Sequence, residues 1–300
     1  MLEHLTQELG RLLVAVSDQL LASVVLFLRS GIWAVIATAL MFIEPASRTL
    51  DFVLGAWTIG GGIALLLGVF RLRQLKISGW HRKVDWGWVG KGLKVAIPFL
   101  LATLSIRGIF TIDRYWFEEL SGLEMLGAYV LFVGLCSALI SFLDAGVFAF
   151  IYPGLIGAYQ KKNVEEFNRG LRKLLVQTVV FSAFFALVSL LLIGPLLGWL
   201  NKPLYLEQQG LFPWILLANL FYALGMIPHY ALYAQGRDRL IINSHIAGLV
   251  VFIPAVWMFS QQWPRLAIPL GLCVAFLLIL LWKSLAYFRL SPVQYRSLRP

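Results

Sequence analysis

A chain of 300 residues with 60% apolar and only 13% charged side chains, at a mean hydropathy of +0.80, is no soluble domain, which carries about 25% charge. It reads as an all-α polytopic membrane protein. The formal charge of +10 does not indicate nucleic acid, because the basic residues gather on alternate sides of the apolar stretches, where they set topology and attract anionic lipid.

Residues 1–18 are amphipathic rather than basic and then apolar, which predicts an interfacial helix and not a secretory signal. Eight stretches of spanning length follow, near 19–43, 51–70, 94–116, 125–150, 174–200, 211–234, 240–260 and 267–288. A cytoplasmic N-terminus puts Arg11, the run from Arg71 to Lys94, the run from Lys161 to Lys173, Arg237, Arg239 and the residues from Lys283 onward on the inner side. Only Arg48, Lys202 and Arg265 then fall outside, so both termini are expected in the cytoplasm. Trp80, Trp86 and Trp88 stand among basic residues between the second and third stretches. That mixture suits a linker lying along the inner membrane surface.

Gly10-Arg11 precedes Val24-Val25 by the same interval as Gly236-Arg237 precedes Val250-Val251, and Phe-Arg-Leu recurs at 70–72 and 288–290. The repetition predicts two parallel repeats. On that reading, residues 1–72 hold an interfacial helix and the last two spans of a first lobe. Residues 73–93 form the cytoplasmic basic and tryptophan-bearing linker, 94–290 a complete six-helix lobe, and 291–300 a cytoplasmic tail. Cys136 and Cys273 lie inside apolar spans, with neither a disulfide pattern nor metal-ligand spacing. No cofactor, metal or catalytic residue is expected.

Ionisable residues inside spans carry the information. An arginine near the middle of a spanning helix costs about 2.5 to 3.5 kcal/mol on insertion scales, so it faces protein or a water-filled cavity unless it snorkels or pairs for packing alone. Arg29 and Arg107 each fall about 16 to 20 Å from the inner surface, counting 1.5 Å per residue. Arg114 follows Arg107 by two helical turns and projects from nearly the same face. Asp113, adjacent to Arg114, points elsewhere, as a helix anchor or a functional carboxylate. Asp144 lies toward the inner boundary, either as a proton-coupling group or in a pairing or vestibular role. His229 and His245 are candidate titrating groups, or plain hydrogen-bonded histidines. Pro98, Pro153 and Pro228, with Pro195, Pro213 and Pro254, interrupt or flank spans and are candidate hinges.

Four short motifs add a resemblance. Ala96-Ile97-Pro98 opens one span, Ile112-Asp113-Arg114 closes it, Leu126-Gly127-Ala128-Tyr129 opens the next and Tyr152-Pro153 ends that one. This pattern resembles the polysaccharide and O-antigen flippases of the multidrug/oligosaccharidyl-lipid/polysaccharide exporter superfamily, over most of the chain and best over 94–173. The resemblance implies two six-helix lobes around a cavity that opens alternately to each side of the bacterial inner membrane. Against that pattern the chain looks like a member lacking its first four helices, a deficit of about 100 to 130 residues judged from the repeat. One lobe and two helices would not enclose a two-lobed cavity alone.

The implied substrate is a polyprenyl-diphosphate-linked oligosaccharide. Arginine suits a diphosphate, since its planar fork donates two hydrogen bonds and stays charged. Arg29, Arg107 and Arg114 are therefore the expected substrate ligands, and H+ or Na+ the expected coupling ion. The same superfamily contains cation-coupled drug exporters, but their sites should be deep carboxylates. A membrane-embedded polyprenyl-linked glycosyltransferase or polymerase would need acidic residues on a sizeable loop. The adjacent pairs Glu118-Glu119 and Glu165-Glu166 sit in no such loop.

Overall fold

The computed structural model of the chain describes residues 1–16, 18–75 and 84–296. Residues 76–83 of the basic linker, Trp80 among them, and the last four residues of the tail lie outside that set. Among the described residues the regular structure is helical, and eight helices are long and apolar enough to cross a bilayer. The chain is thus an all-α integral membrane protein. It divides into two compact units, Met1–Asp85 and Trp86–Pro300.

In the first unit, α1 (Leu2–Ala15) is followed by α2 (Gln19–Phe27), a π-helical turn (Leu28–Ile32) and α3 (Trp33–Ile43). The last three form one spanning segment, Leu20–Ile43. Helix α4 (Leu50–Gln74) begins at Thr49, whose hydroxyl accepts from the Phe52 amide, and has Asp51 in its first turn and Arg71 and Arg73 in its last. Cap and charges oppose the helix dipole at both ends. The small face of α4 receives α1 closely: a Cβ built on Gly68 would fall 1.7 Å from Leu9 Cδ2, and one on Gly61 would fall 3.0 Å from Leu2. Leu9, Leu13, Ala22, Val25, Ala64 and Leu72 form the core there. An ion pair from Arg71 Nε to Asp18 Oδ2, 2.7 Å, ties the end of α4 to the start of α2.

The second unit opens with α5 (Trp86–Ser121), which continues through Pro98. The apolar run from 94 to 116 understates this helix at both ends. Its first turn carries exposed Trp86 and Trp88. Its last turns are amphipathic, with Phe117 fully buried while Glu118 and Glu119 are exposed. A run of apolar residues cannot register such a turn. Gly122, at φ 88, reverses the chain in a backbone region open to glycine.

Helix α6 (Leu123–Leu143), a π-helical turn (Asp144–Phe148) and α7 (Ala149–Gln160) then make a single segment, Leu123–Gln160. Tyr152-Pro153 therefore does not end it. Pro153 lies inside α7, about one turn after the π turn that already interrupts the regular ladder. Helix α8 (Val164–Leu200) starts at Asn163, whose Oδ1 accepts from the Glu166 amide while its Nδ2 donates to Glu166 Oε2. This reciprocal cap lengthens the helix well before its apolar run.

After a short α9 (Pro203–Glu207) come α10 (Phe212–Ala234), α11 (Asp238–Ser260) and α12 (Ala267–Leu290). Gly225 lets α10 approach the Leu280 Cα on α12, 3.7 Å from a Cβ position, and Gly248 and Gly271 do the same between α11 and α12. Such small-residue crossings suit helices whose surroundings are as apolar as their side chains. Phe117, Phe132, Phe212, Phe252 and Phe276 fill one core, and Phe148, Phe167, Tyr287 and Tyr295 belong to a second. By contrast, α8 leaves Val176, Val180, Phe181, Phe184, Leu187 and Leu191 exposed. A stripe of that length is a lipid-facing surface rather than a soluble one.

Candidate functional site: a polar cavity beside a buried basic cluster

Polar residues repeat at helical spacing on two facing helices of the second unit. On α5 these are Thr103, Arg107 and Arg114, with Phe110 between them; on α6 and the turn after it they are Ser137, Ser141 and Asp144. Asn219 and Tyr222 from α10 and His245 from α11 complete a cavity of about 540 Å³. In a chain this apolar, one face carrying two guanidiniums and a carboxylate is not a lipid face. The ion pairs among the described residues are Arg11–Glu8, Arg29–Glu3, Arg71–Asp18 and Arg169–Glu165. Arg107 and Arg114 belong to none of them, although Asp144 shares their cavity.

Asp113 has a different place. It is buried, 1% exposed, and its Oδ2 accepts a 2.7 Å hydrogen bond from the Tyr129 hydroxyl on α6. The Tyr129 ring stacks on Phe117, centroids 4.3 Å apart. This anchor joins α5 to α6 and fixes the rotation of α5, which turns its neighbour Arg114, and Arg107 two turns earlier, toward the cavity. Tyr129→Phe is expected to lower stability by about 1–3 kcal/mol, because the buried carboxylate loses its side-chain donor. Unfolding of the purified variant in mixed micelles measures it, and no change would mean that the anchor is dispensable.

His229 stands behind the cavity on α10, next to Pro228, and meets His245 through a residue that run counting assigns to the cytoplasmic side. Lys283 lies on α12, 1% exposed, with Nζ 3.2 Å from His229 Nδ1 and 2.9 Å from His245 Nε2. It is no surface cation. The helix runs two further turns beyond it to Leu290. That Lys283 sits within the apolar run LILLWKSLAYF was the available signal.

Arg29 belongs to the first unit and stands in the π turn Leu28–Ile32. Its Nε is 3.7 Å from Glu3 Oε1 on α1, and it lines a cavity of that unit with Thr6, Gln7, Arg11 and Ser23. Both Arg29 and Asp144 thus occupy π-helical turns, irregularities that are frequent at functional positions. Pro98, Pro153 and Pro228 lie inside α5, α7 and α10. Among the described residues no group of three or more His, Cys, Asp or Glu side chains is placed to hold a metal ion. No protein-family model, curated protein or solved structure matches the chain.

Proposed function

We propose that this polytopic membrane protein moves a lipid-linked oligosaccharide, a sugar chain on a polyprenyl diphosphate, from the inner to the outer leaflet of the bacterial inner membrane by alternating access. One observation carries the reading: Arg107 and Arg114 line one cavity from one helix, and neither is in an ion pair among the described residues. Seven residues separate them, about 10 Å along the helix, a span that a diphosphate and its first sugar bridge. Two bidentate donors replace the water that the anion sheds on leaving the headgroup layer. Ile97, Leu100, Leu101 and Leu104, exposed on the same helix, suit a prenyl tail that stays in lipid. In the first unit, Arg29 with Arg11, Thr6 and Ser23 offers the same phosphate chemistry.

Asp144 is the observation that favours a second reading, a cation-coupled drug exporter. Two unpaired guanidiniums in the same cavity repel a cationic drug, so the anionic substrate fits better. Reconstitution of the full chain into liposomes with a fluorescent diphosphate-linked sugar lipid separates the cases. Transfer between leaflets without a new covalent product is the expected result. A lengthened or transferred sugar means an enzyme, uptake of an organic cation in place of the lipid means an exporter, and no movement of any of them sinks the proposal.

A further inference from the structure

The cluster of Lys283, His229 and His245 is built unlike the arginine pair. Three helices, α12, α10 and α11, each supply one basic nitrogen, and the two imidazole rings lie nearly parallel with centroids 5.9 Å apart. None of the three is in an ion pair among the described residues. An ammonium only donates, so each ring nitrogen facing it must accept. His245 then carries its proton on Nδ1 and His229 on Nε2. One positive charge fills this arrangement. A second would set like charges within hydrogen-bond distance in a weakly polarisable interior, and complete neutrality would leave all three groups still able to hydrogen-bond. Of the three, His245 also lines the Arg107 cavity.

We propose that His229, Lys283 and His245 form a proton site that exchanges with the Arg107 cavity through His245, and that its proton is the ion coupled to transport. The site stands on the geometry alone; the coupling rests on the function proposed above. In the releasing step a Lys283 Nζ–H bond breaks as an Nε2–H bond forms on His245, and the Nδ1 proton of His245 passes to cavity water. Uptake is the reverse. The cluster is nitrogen throughout, whereas a hard cation such as Na+ takes oxygen ligands. The groups that face the cluster are Tyr230 and Tyr233 on α10, with ring centroids 5.3 and 6.5 Å from His229; Tyr287, one turn along α12, gives its hydroxyl to the Tyr295 carbonyl instead. Around the cavity stand Tyr222 from α10, Arg107 and Arg114 from α5, and Asp144 from the π turn. An anion held beside His245 favours the protonated cluster, so anion binding and proton uptake strengthen one another by the same factor.

The test uses the full chain in nanodiscs, labelled with ¹⁵N on histidine, and follows both histidines by NMR from about pH 4 to about pH 9. His229 and His245 are expected to respond in one shared step. Lys283→Met is expected to move that step to lower pH by about one unit or more, because the single proton must then rest on an imidazole, which is less basic than the amine it replaces. Should that variant not fold, Lys283→Arg replaces it: arginine keeps the charge but does not give up a proton, and the shared step is lost. Geranylgeranyl diphosphate is expected to raise the midpoint in the native chain and not in Arg107→Ala. Histidines that titrate separately, at midpoints indifferent to both Lys283 variants, overturn the proton site. A shared step that ignores the diphosphate upholds the site and overturns its coupling to an anionic substrate.

Discussion

In liposomes carrying the full chain, Arg107→Ala is expected to cut transfer of a diphosphate-linked sugar lipid about 10- to 100-fold, the equivalent of one charge-assisted hydrogen-bonding group worth about 1.5–3 kcal/mol. The variant should insert and fold as the native chain does. Arg107 is exposed on the cavity face of α5 and in no ion pair among the described residues, so its removal opens no packing defect and strands no buried carboxylate. Arg107→Lys keeps the charge and loses the planar fork, which places its transfer rate between the two. Arg114→Ala should act in the same direction. The double variant should cost less than the product of the single effects, since both guanidiniums serve one diphosphate. Native transfer rates in both single variants and in the double variant would remove the cavity from the substrate path.

His229→Leu is expected to destabilise the protein by about 1.5–3 kcal/mol, the scale for a hydrogen bond lost by a buried charged group. The loss comes from Lys283: with 1% of its surface exposed, its ammonium retains His245 at 2.9 Å and loses the acceptor at 3.2 Å. Adding Lys283→Met to the same chain should restore most of that stability, because an apolar side chain of similar length has nothing left to satisfy. Reversible unfolding in mixed micelles gives both values. Equal stability of the single and double variants would mean that Lys283 is not charged in the folded protein.

The eight spanning segments were legible as apolar runs, since transfer into hydrocarbon sums over neighbouring residues and needs no partner. Their ends were less so. Helix α5 continues past residue 116 because Phe117 turns into the core while Glu118 and Glu119 stay exposed, an alternation that hydropathy averages away. The segment through Tyr152-Pro153 continues because a π turn precedes the proline. Arg107 and Arg114 could be placed on one face by their spacing alone. Asp113 and its partner Tyr129 could not be matched, for they lie on different helices.

The cluster shows the same division more sharply. In the sequence His229 and His245 stand as isolated intramembrane histidines, and Lys283 groups with the cytoplasmic cations because it stands near the end of the last apolar run. Their meeting depends on how α10, α11 and α12 cross, and that on Gly225, Gly248 and Gly271 permitting close approach. The sequence by itself determined that this is a helical membrane protein and which ionisable residues are costly there, because desolvation is a property of each residue and its immediate run. Only the tertiary structure decided what each costly residue faces, a water-accessible cavity for Arg107 and Arg114, a tyrosine for Asp113, two imidazoles for Lys283. A buried polar group is satisfied across helices, by rotation and crossing geometry that no single segment encodes.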